Sequence, residues 1–507
     1  MNGSTQLPTT YGQTPEEQIP NFGQQPSEWQ PNAVKGSTAT SVPPNFTTAQ
    51  AAAELSQNTL GNSSFTRHQL SSTGSASFIL ITGGMNIAWS CGFAAIIGYQ
   101  LDTHIIICWY IAAIIGAIVG SLITHRMATK PINMFSAFLV LIGGIIFVSA
   151  PHKYNAIAAA RYLNGFGVGL VIIPTLVLVG EEVHSGARGL AASIIEMGAI
   201  TLGIFLQIIF VAAFELTSDT IFYGYGFGST HLNGIVAIIL SLSTILFSYF
   251  FVIESPIYYL LRNDETQAVE CLNNLQHPHS VRQELEEQKR YIESNSPAGD
   301  LAISALLNLC LYRSLIALSF STFTTAGIQL ASVKYLGPGL VWAYIIFGLM
   351  LWFGCFLSSF LMDSVGRKKL MLGSALLCGC LATGVGIIYN DLENIVYNYH
   401  MGMALYMLFG QELFAGIFRS VCSAYLTEAF PLHQKPYYIG IAFIVEMLVM
   451  LITASCVISV GNLGSYFLAF GILYLVYFAM GFVLLPETQK LTLREAQDKF
   501  KNFGISM

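Results

Sequence analysis

Two acid and base pairs in this sequence share one spacing. Glu181 and Arg188 stand seven residues apart, and Glu428 and Lys435 repeat that spacing and order 247 residues later. Each acid follows a long apolar run and each base precedes another, so both pairs fall in short polar loops. A carboxylate and a cation at facing helix ends can form an ion pair that makes and breaks as the helices move. Three more ionisable residues, Glu196, Arg419 and Glu446, lie well inside apolar runs. A charge at the centre of a bilayer costs about 2.5 to 3.5 kcal/mol on translocon scales, so such groups face a cavity or one another. We expect all three on a central path, with Arg419 paired to Glu446 or Glu196. The alternatives are a glutamate that takes up and releases a proton and a purely structural salt bridge between helices.

The elements that must hold these residues are read from composition and run length. With 54% hydrophobic and 10% charged residues over 507 positions, the chain is far from the roughly 25% charged residues of average soluble proteins. Crossing a roughly 30 Å hydrocarbon core takes about 20 apolar residues. Twelve runs qualify, near 78–99, 104–123, 132–150, 157–180, 190–213, 232–253, 314–335, 339–361, 370–389, 401–427, 437–460 and 464–485. A charged stretch divides them six and six, and the repeated pairs then mark an internal duplication, a common construction in transporters.

The expected fold is therefore an all-α membrane protein of twelve transmembrane helices in two six-helix halves, 78–253 and 314–485. A cytoplasmic linker of short helices (254–313) would join them, flanked by a disordered tail (1–77) rich in Gln, Pro, Ser, Thr, Asn and Gly and a C-terminal tail (486–507). All but four of the 22 Lys and Arg fall in the tails, the linker or the loops on the same side; the exceptions are Lys153, Arg161, Lys334 and Arg419. Basic residues favour the cytoplasm, so both termini are expected there. The sequons at Asn2, Asn45 and Asn62 are then silent. The first 30 residues lack the basic start and apolar core of a cleavable signal, which leaves the first span as the insertion signal.

A net charge of −6 offers no basic field for nucleic acid. No phosphate-binding Gly-rich loop, nucleophile elbow or zinc pattern is present, so we expect neither an enzyme, a cofactor nor a metal, and no primary pump. Cys378 and Cys380 point to different sides of a helix, and His277 and His279 read as a solvated loop.

Several boxes recur in order along residues 78 to 500. The loop after the second span contains His125-Arg126-Met-Ala128-Thr-Lys130, and the loop after the eighth contains Asp363-Ser-Val-Gly366-Arg367-Lys368-Lys369. Arg161-Tyr-Leu-Asn-Gly165-Phe-Gly167-Val-Gly169, Glu181 with Arg188-Gly189, Glu254-Ser255-Pro256 and Pro486-Glu487-Thr488 complete the set. With these boxes the chain resembles the sugar porter family of the major facilitator superfamily. That resemblance implies alternating access, with Glu181, Arg188, Asp363, Arg367, Glu428 and Lys435 as a cytoplasmic gate. The bland reading of those charges is that they only anchor helix ends. Against the family pattern, His125 and Ala128 replace an Asp and a Gly, so the first copy of the loop signature is expected to latch more weakly. Ile257 replaces an Arg.

The same resemblance implies the solute positions. Glu196 stands at a usual Gln, Thr324 at another Gln, Gln329 at an Asn, Ser423 near a usual Trp, and Glu446 at an Asn; with Arg419 these form the expected substrate site. Several neutral partners for hydroxyl groups are thus altered. The cargo is expected to be a small polar solute, a sugar first (hexose or disaccharide), since the chain is also similar to insect facilitative trehalose carriers. Facilitated diffusion is the first expectation, proton-coupled symport of a sugar, polyol or organic solute the second, and a non-transporting solute receptor the third. The plasma membrane is the expected location, with an internal membrane as the other possibility.

Overall fold

The structure, a computed structural model, describes residues 68–93, 102–214, 227–275, 281–294, 301–337 and 340–505. Residues 1–67, with their sequons, and the His277 to His279 segment lie outside them. Among the described residues the chain is helical throughout, with no strand.

Among the described residues eleven helices are long and apolar enough to cross a membrane. With α1 at Ser77–Ser90, they are α2 (Thr103–Ile123), α3 (Thr129–Ser149), α4 (Tyr154–Glu182), α5 (Arg188–Phe214), α6 (Ser229–Phe251), α7 (Ile303–Leu336), α8 (Trp342–Val365), α9 (Arg367–Asn390), α10 (Asn398–Glu428), α11 (Lys435–Ser455) and α12 (Val460–Leu484). The α1 helix falls in the first expected run, whose residues 94–99 are outside the described region. Large apolar side chains stay exposed on the outer faces: Phe250 is 67% and Ile239 57% exposed. In water such a surface would be unfavourable; against lipid it is the matching one.

Helix ends follow local chemistry. Gly366 takes φ +106° between α8 and α9, a backbone region that L side chains avoid. Its counterpart after the second span, Ala128, is extended at φ −64°, and the positive φ moves to His125. Within α7 the helix breaks after Ser319 and restarts at Thr322, where the Ser321 hydroxyl accepts the Thr324 N–H as a cap (3.4 Å).

Packing repeats between the halves. α1 lies on α5, α2 along α4 and α3 on α6; α7 lies on α11, α8 along α10 and α9 on α12. The glycines of α2 and α4 permit one of these approaches: Gly116 and Gly120 face the α4 backbone around Phe166 to Leu170, and Gly165 and Gly169 face α2 at Trp109 and Ala113. Across the halves, α2 meets α11 and α5 meets α8, again a matched pair.

One face of the bundle carries both described chain ends and the linker. Helices Pro256–Leu260, Glu265–Leu275 and Val281–Ser294 form the linker. Ile257, Tyr291 and Leu432 share a buried apolar cluster there, so the position that lost an Arg has become a packing contact. Gln497 donates to Tyr291 (3.0 Å) and to the Phe430 carbonyl (2.6 Å), tying the C-terminal helix Leu493–Ile505 to the same platform.

Candidate functional site

Charged residues gather in two layers, one at the linker face and one deeper in the bundle. At the linker face the end of α10 presents Glu428, which is fully buried. Its Oε1 pairs with Arg188 Nη1 of α5 at 3.4 Å, across the two halves. Its Oε2 pairs with Arg367 Nη1 of α9. Arg367 also donates to Thr488 Oγ1 (2.9 Å) and faces Asp363 Oδ1 (3.6 Å). The other oxygen of Asp363 accepts the Leu190 N–H at the first turn of α5 (3.0 Å). Four of the six expected gate residues thus form one network that crosses between the halves twice.

The remaining two stand apart from it. Glu181 pairs with His125 Nε2 at 3.0 Å, inside its own half. Lys435 is fully buried, its ammonium within electrostatic reach of Glu181 and Glu428 but without a hydrogen-bond partner among the described residues. The His125 to Glu181 contact was not legible in the sequence, because 56 positions separate the two.

Both helix-closing boxes act alike. Glu254 accepts the N–H groups of Thr129 and Lys130 (2.7 and 2.8 Å). Glu487 accepts those of Arg367 and Lys368 (3.1 and 3.0 Å). A carboxylate at a helix N-terminus satisfies donors that have no intrahelical partner and meets the positive end of the helix dipole.

The second layer corrects the sequence reading. Arg419 does not pair with Glu446 or Glu196; it donates to the Ile316 carbonyl (2.9 Å) and Ser319 Oγ (3.3 Å). The partner of both glutamates is Arg313. Its Nη1 meets Glu446 Oε2 at 2.7 Å and its Nη2 meets Glu196 Oε1, and the three side chains are at most 4% exposed. Its helical segment runs Leu301–Ser319, so it starts inside the stretch that the sequence marks as linker, 254–313, and carries Arg313 with it. The run from Leu301 to Tyr312, broken only by Ser304 and Asn308, was the available signal. Glu196 lies in a π turn, Ile194–Gly198, a widened turn frequent at functional sites.

Two polar residues on α10 were missed as well. Glu412 and Gln411 are fully buried and, among the described residues, have no hydrogen-bond partner; the rule that singled out Arg419 applies equally to Glu412. Ser423 is buried and likewise without one. Thr324 Oγ1 donates to the Leu318 carbonyl (3.3 Å), and Gln329 is half-buried on the same helix. The structure therefore brings Glu196 and Glu446 together through Arg313, and leaves Arg419 and Ser423 on α10 and Thr324 and Gln329 on α7.

Near the opposite face Arg161 is buried without a carboxylate partner among the described residues. It donates to Ile105 O (3.0 Å), Asn86 Oδ1 (3.1 Å), Ser90 Oγ and Ile106 O (3.3 Å) and lies 4.1 Å from the centre of the Trp89 ring. The halves also touch there, through Thr325 Oγ1 to the Cys91 carbonyl and Phe93 against Tyr344 with ring centres 6.1 Å apart.

Two six-helix halves with repeated packing and charged loops have close counterparts among known proteins. The profile of the family described as Sugar (and other) transporter matches residues 98–500. The chain belongs to this family. The transporter is 24% identical to Hexose transporter 1 of Plasmodium knowlesi over 427 residues, 78% of this chain and 83% of the relative. It is 23% identical to the arabinose-proton symporter of Escherichia coli K12, over 80% of this chain and 88% of that one. Among solved structures it is similar to the major facilitator proton:xylose symporter XylE bound to 6-bromo-6-deoxy-D-glucose, with TM-score 0.69, 18% identity, and coverage of 87% of this chain and all of the other. The human organic anion transporter MFSD10 is also similar (TM-score 0.54, 14% identity, 82% of this chain, 99% of that one). The transporter is thus a multi-pass membrane protein with the major facilitator fold, and that fold serves cargoes of more than one class.

Proposed function

We propose that this transporter moves a small hydroxylated solute, a sugar, across a membrane by alternating access, with its two halves rocking about the central layer. The observation that carries this reading is the Arg188–Glu428–Arg367 network. It joins the halves only while they are closed at the linker face, and parting them there breaks it. The hexose and arabinose carriers among its relatives support a sugar as cargo. We assign the gate to Arg188, Glu428, Arg367 and Asp363 and the solute path to Glu196, Glu446, Arg419, Thr324, Gln329 and Ser423.

Transport is facilitative in this reading. Proton coupling is the second reading, and the buried Glu412, a titratable group without a protein donor near the middle of α10, is what favours it. The distribution of basic residues supports a cytoplasmic linker face and cytoplasmic termini, and we assign the carrier to the plasma membrane, with an internal membrane as the other reading.

The test is counterflow of labelled sugars in vesicles reconstituted with the purified protein, on a panel of hexoses, pentoses, disaccharides and polyols. Saturable exchange of at least one sugar supports transport; binding without flux would instead describe a receptor.

A further inference from the structure

We propose that Arg313 is a specificity-determining residue of the central site: its guanidinium occupies two opposed carboxylates, one from each half, and thereby weakens the site for cationic solutes relative to uncharged ones. The proposal deepens, and rests on, the reading of the protein as a sugar transporter.

Geometry supplies the argument. Glu196 stands eight residues along α5 from Arg188 and Glu446 eleven residues along α11 from Lys435, about 12 and 16 Å below the linker-face ends of their helices at 1.5 Å per residue. Both carboxylates therefore converge near the middle of a roughly 30 Å bilayer core, where carriers of this type hold their cargo. Two carboxylates facing each other across such a path make a cation site, and Arg313 fills it from within the protein. Its two arms are unequal in consequence. The arm to Glu446 joins α7 to α11 inside one half, whereas the arm to Glu196 crosses between halves. When the halves separate, the crossing arm is the one that must release.

Glu196 then faces the opened path with Arg313 still attached to Glu446 beside it. Its second oxygen, Oε2, is already buried without a partner among the described residues, so a donor from the solute can reach it. A sugar hydroxyl donates there without bringing a charge. A cationic solute would find one of the two carboxylate charges already neutralised by Arg313 and would bring a second positive charge beside it, inside a region of low dielectric where like charges repel strongly. The groups facing Arg313 from other elements are Glu196 of α5, Glu446 of α11 and the Cys422 thiol of α10; Arg419, also on α10, addresses the same α7 segment three and six residues further along.

The experiment compares D-glucose with its 2-amino analogue, D-glucosamine, at pH 6.5, where the amine is protonated. Inhibition of labelled glucose exchange by each is measured in vesicles for the wild type, Arg313→Met and Glu446→Gln. Removing the guanidinium is expected to improve the amino sugar relative to glucose by about tenfold, the scale of a charge-assisted hydrogen bond. Glu446→Gln, which takes this cluster of one guanidinium and two carboxylates from a net charge of −1 to zero, is expected to worsen it severalfold. An unchanged ratio in both variants would overturn the proposal. A merely structural role lowers exchange without moving the ratio, which also overturns it. If Arg313→Met does not fold, Glu446→Gln alone decides by the direction of its shift. If the wild type exchanges no sugar in vesicles, the transport reading fails separately, and the ratio is then read from the shifts that the two sugars cause in thermal unfolding of the purified protein. Binding of neither sugar overturns both.

Discussion

Glu254 and Glu487 hold the same post in opposite halves. Each closes the last helix of its half and accepts two backbone N–H groups at the first turn of the third helix, Thr129 and Lys130 in one case and Arg367 and Lys368 in the other. The lysines complete the repeat: Lys130 Nζ donates to the Tyr249 carbonyl and Lys368 Nζ to the Phe482 carbonyl, both at 2.7 Å. Each half is therefore fastened within itself by a carboxylate that accepts only from its own half.

That separation gives the first expectation. Glu254→Ala and Glu487→Ala should each destabilise the protein by about 1.5 to 3 kcal/mol, the range for hydrogen bonds to a charged group. Because the two caps share no partner, the double variant should be additive within about 0.5 kcal/mol. Thermal unfolding of the detergent-purified variants measures both quantities, and a strongly non-additive pair would contradict the independence of the halves.

The gate network should respond differently. Glu428→Gln removes the charge shared by Arg188 and Arg367 and leaves two buried guanidinium groups with weaker acceptors, at a cost of about 3 to 5 kcal/mol to the closed form. A shift of that size changes the ratio of two states by more than about a hundredfold. Maleimide labelling of a cysteine placed at His184, in a background without the exposed Cys380 and Cys456, should accelerate in this variant when the reagent is added from the linker side.

The loop glycine makes a paired prediction. At Gly366 a Cβ would stand in a left-handed conformation, 2.9 Å from Glu487 Oε2, so Gly366→Ala should cost about 1 to 2 kcal/mol. Ala128 already lies in an ordinary extended conformation, and Ala128→Gly should change stability by less than about 1 kcal/mol. Equal effects at the two positions would show that the loops are conformationally alike, against the geometry described.

Proton coupling is separated from facilitation by uptake measured between pH 5.5 and 8 in the wild type, Glu412→Gln and Glu196→Gln. Facilitated diffusion predicts a flat profile in all three. A wild-type profile that rises toward low pH and is flattened by Glu412→Gln would establish the symport reading.

In the linker, burial pushes the Cys271 thiol up to about 12, with the neighbouring Glu182, Glu254 and Glu270 charges acting in the same direction. The thiolate is the reactive form and a free thiol ionises near 8.5. Labelling of Cys271 at pH 8 should consequently run on the order of 10³ times slower than that of an exposed cysteine, and accelerate only as the pH nears 12 or the linker helices unfold.

The helices of this transporter were legible because apolar run length alone distinguishes a lipid-facing segment. Local boxes were legible too, and Arg188, Glu428, Asp363 and Arg367, which they single out, share one network in the fold. What the sequence did not carry was pairing. Arg313 falls at the end of the stretch that the sequence marks as linker, 254–313, and the sequence offers Arg419 to its partners instead. Glu412 was overlooked although it obeys the same rule as the charges that were found. His125 was read as a degraded signature, whereas its ring meets Glu181 through a turn that only the folded loop supplies.

The neutral cradle around Arg161 has an electrical consequence. Its guanidinium is a permanent charge anchored to α4, seven residues from the end remote from the linker, and it travels with its half. A unit charge crossing the whole membrane gains about 2.3 kcal/mol per 100 mV. A displacement by a tenth of the roughly 30 Å core would be worth about a tenth of that, less than a twofold bias in which way the carrier faces. Arg161 by itself therefore adds little voltage dependence to which way the carrier faces, and a stronger one would have to come from the charges of the deeper layer or from what the carrier holds.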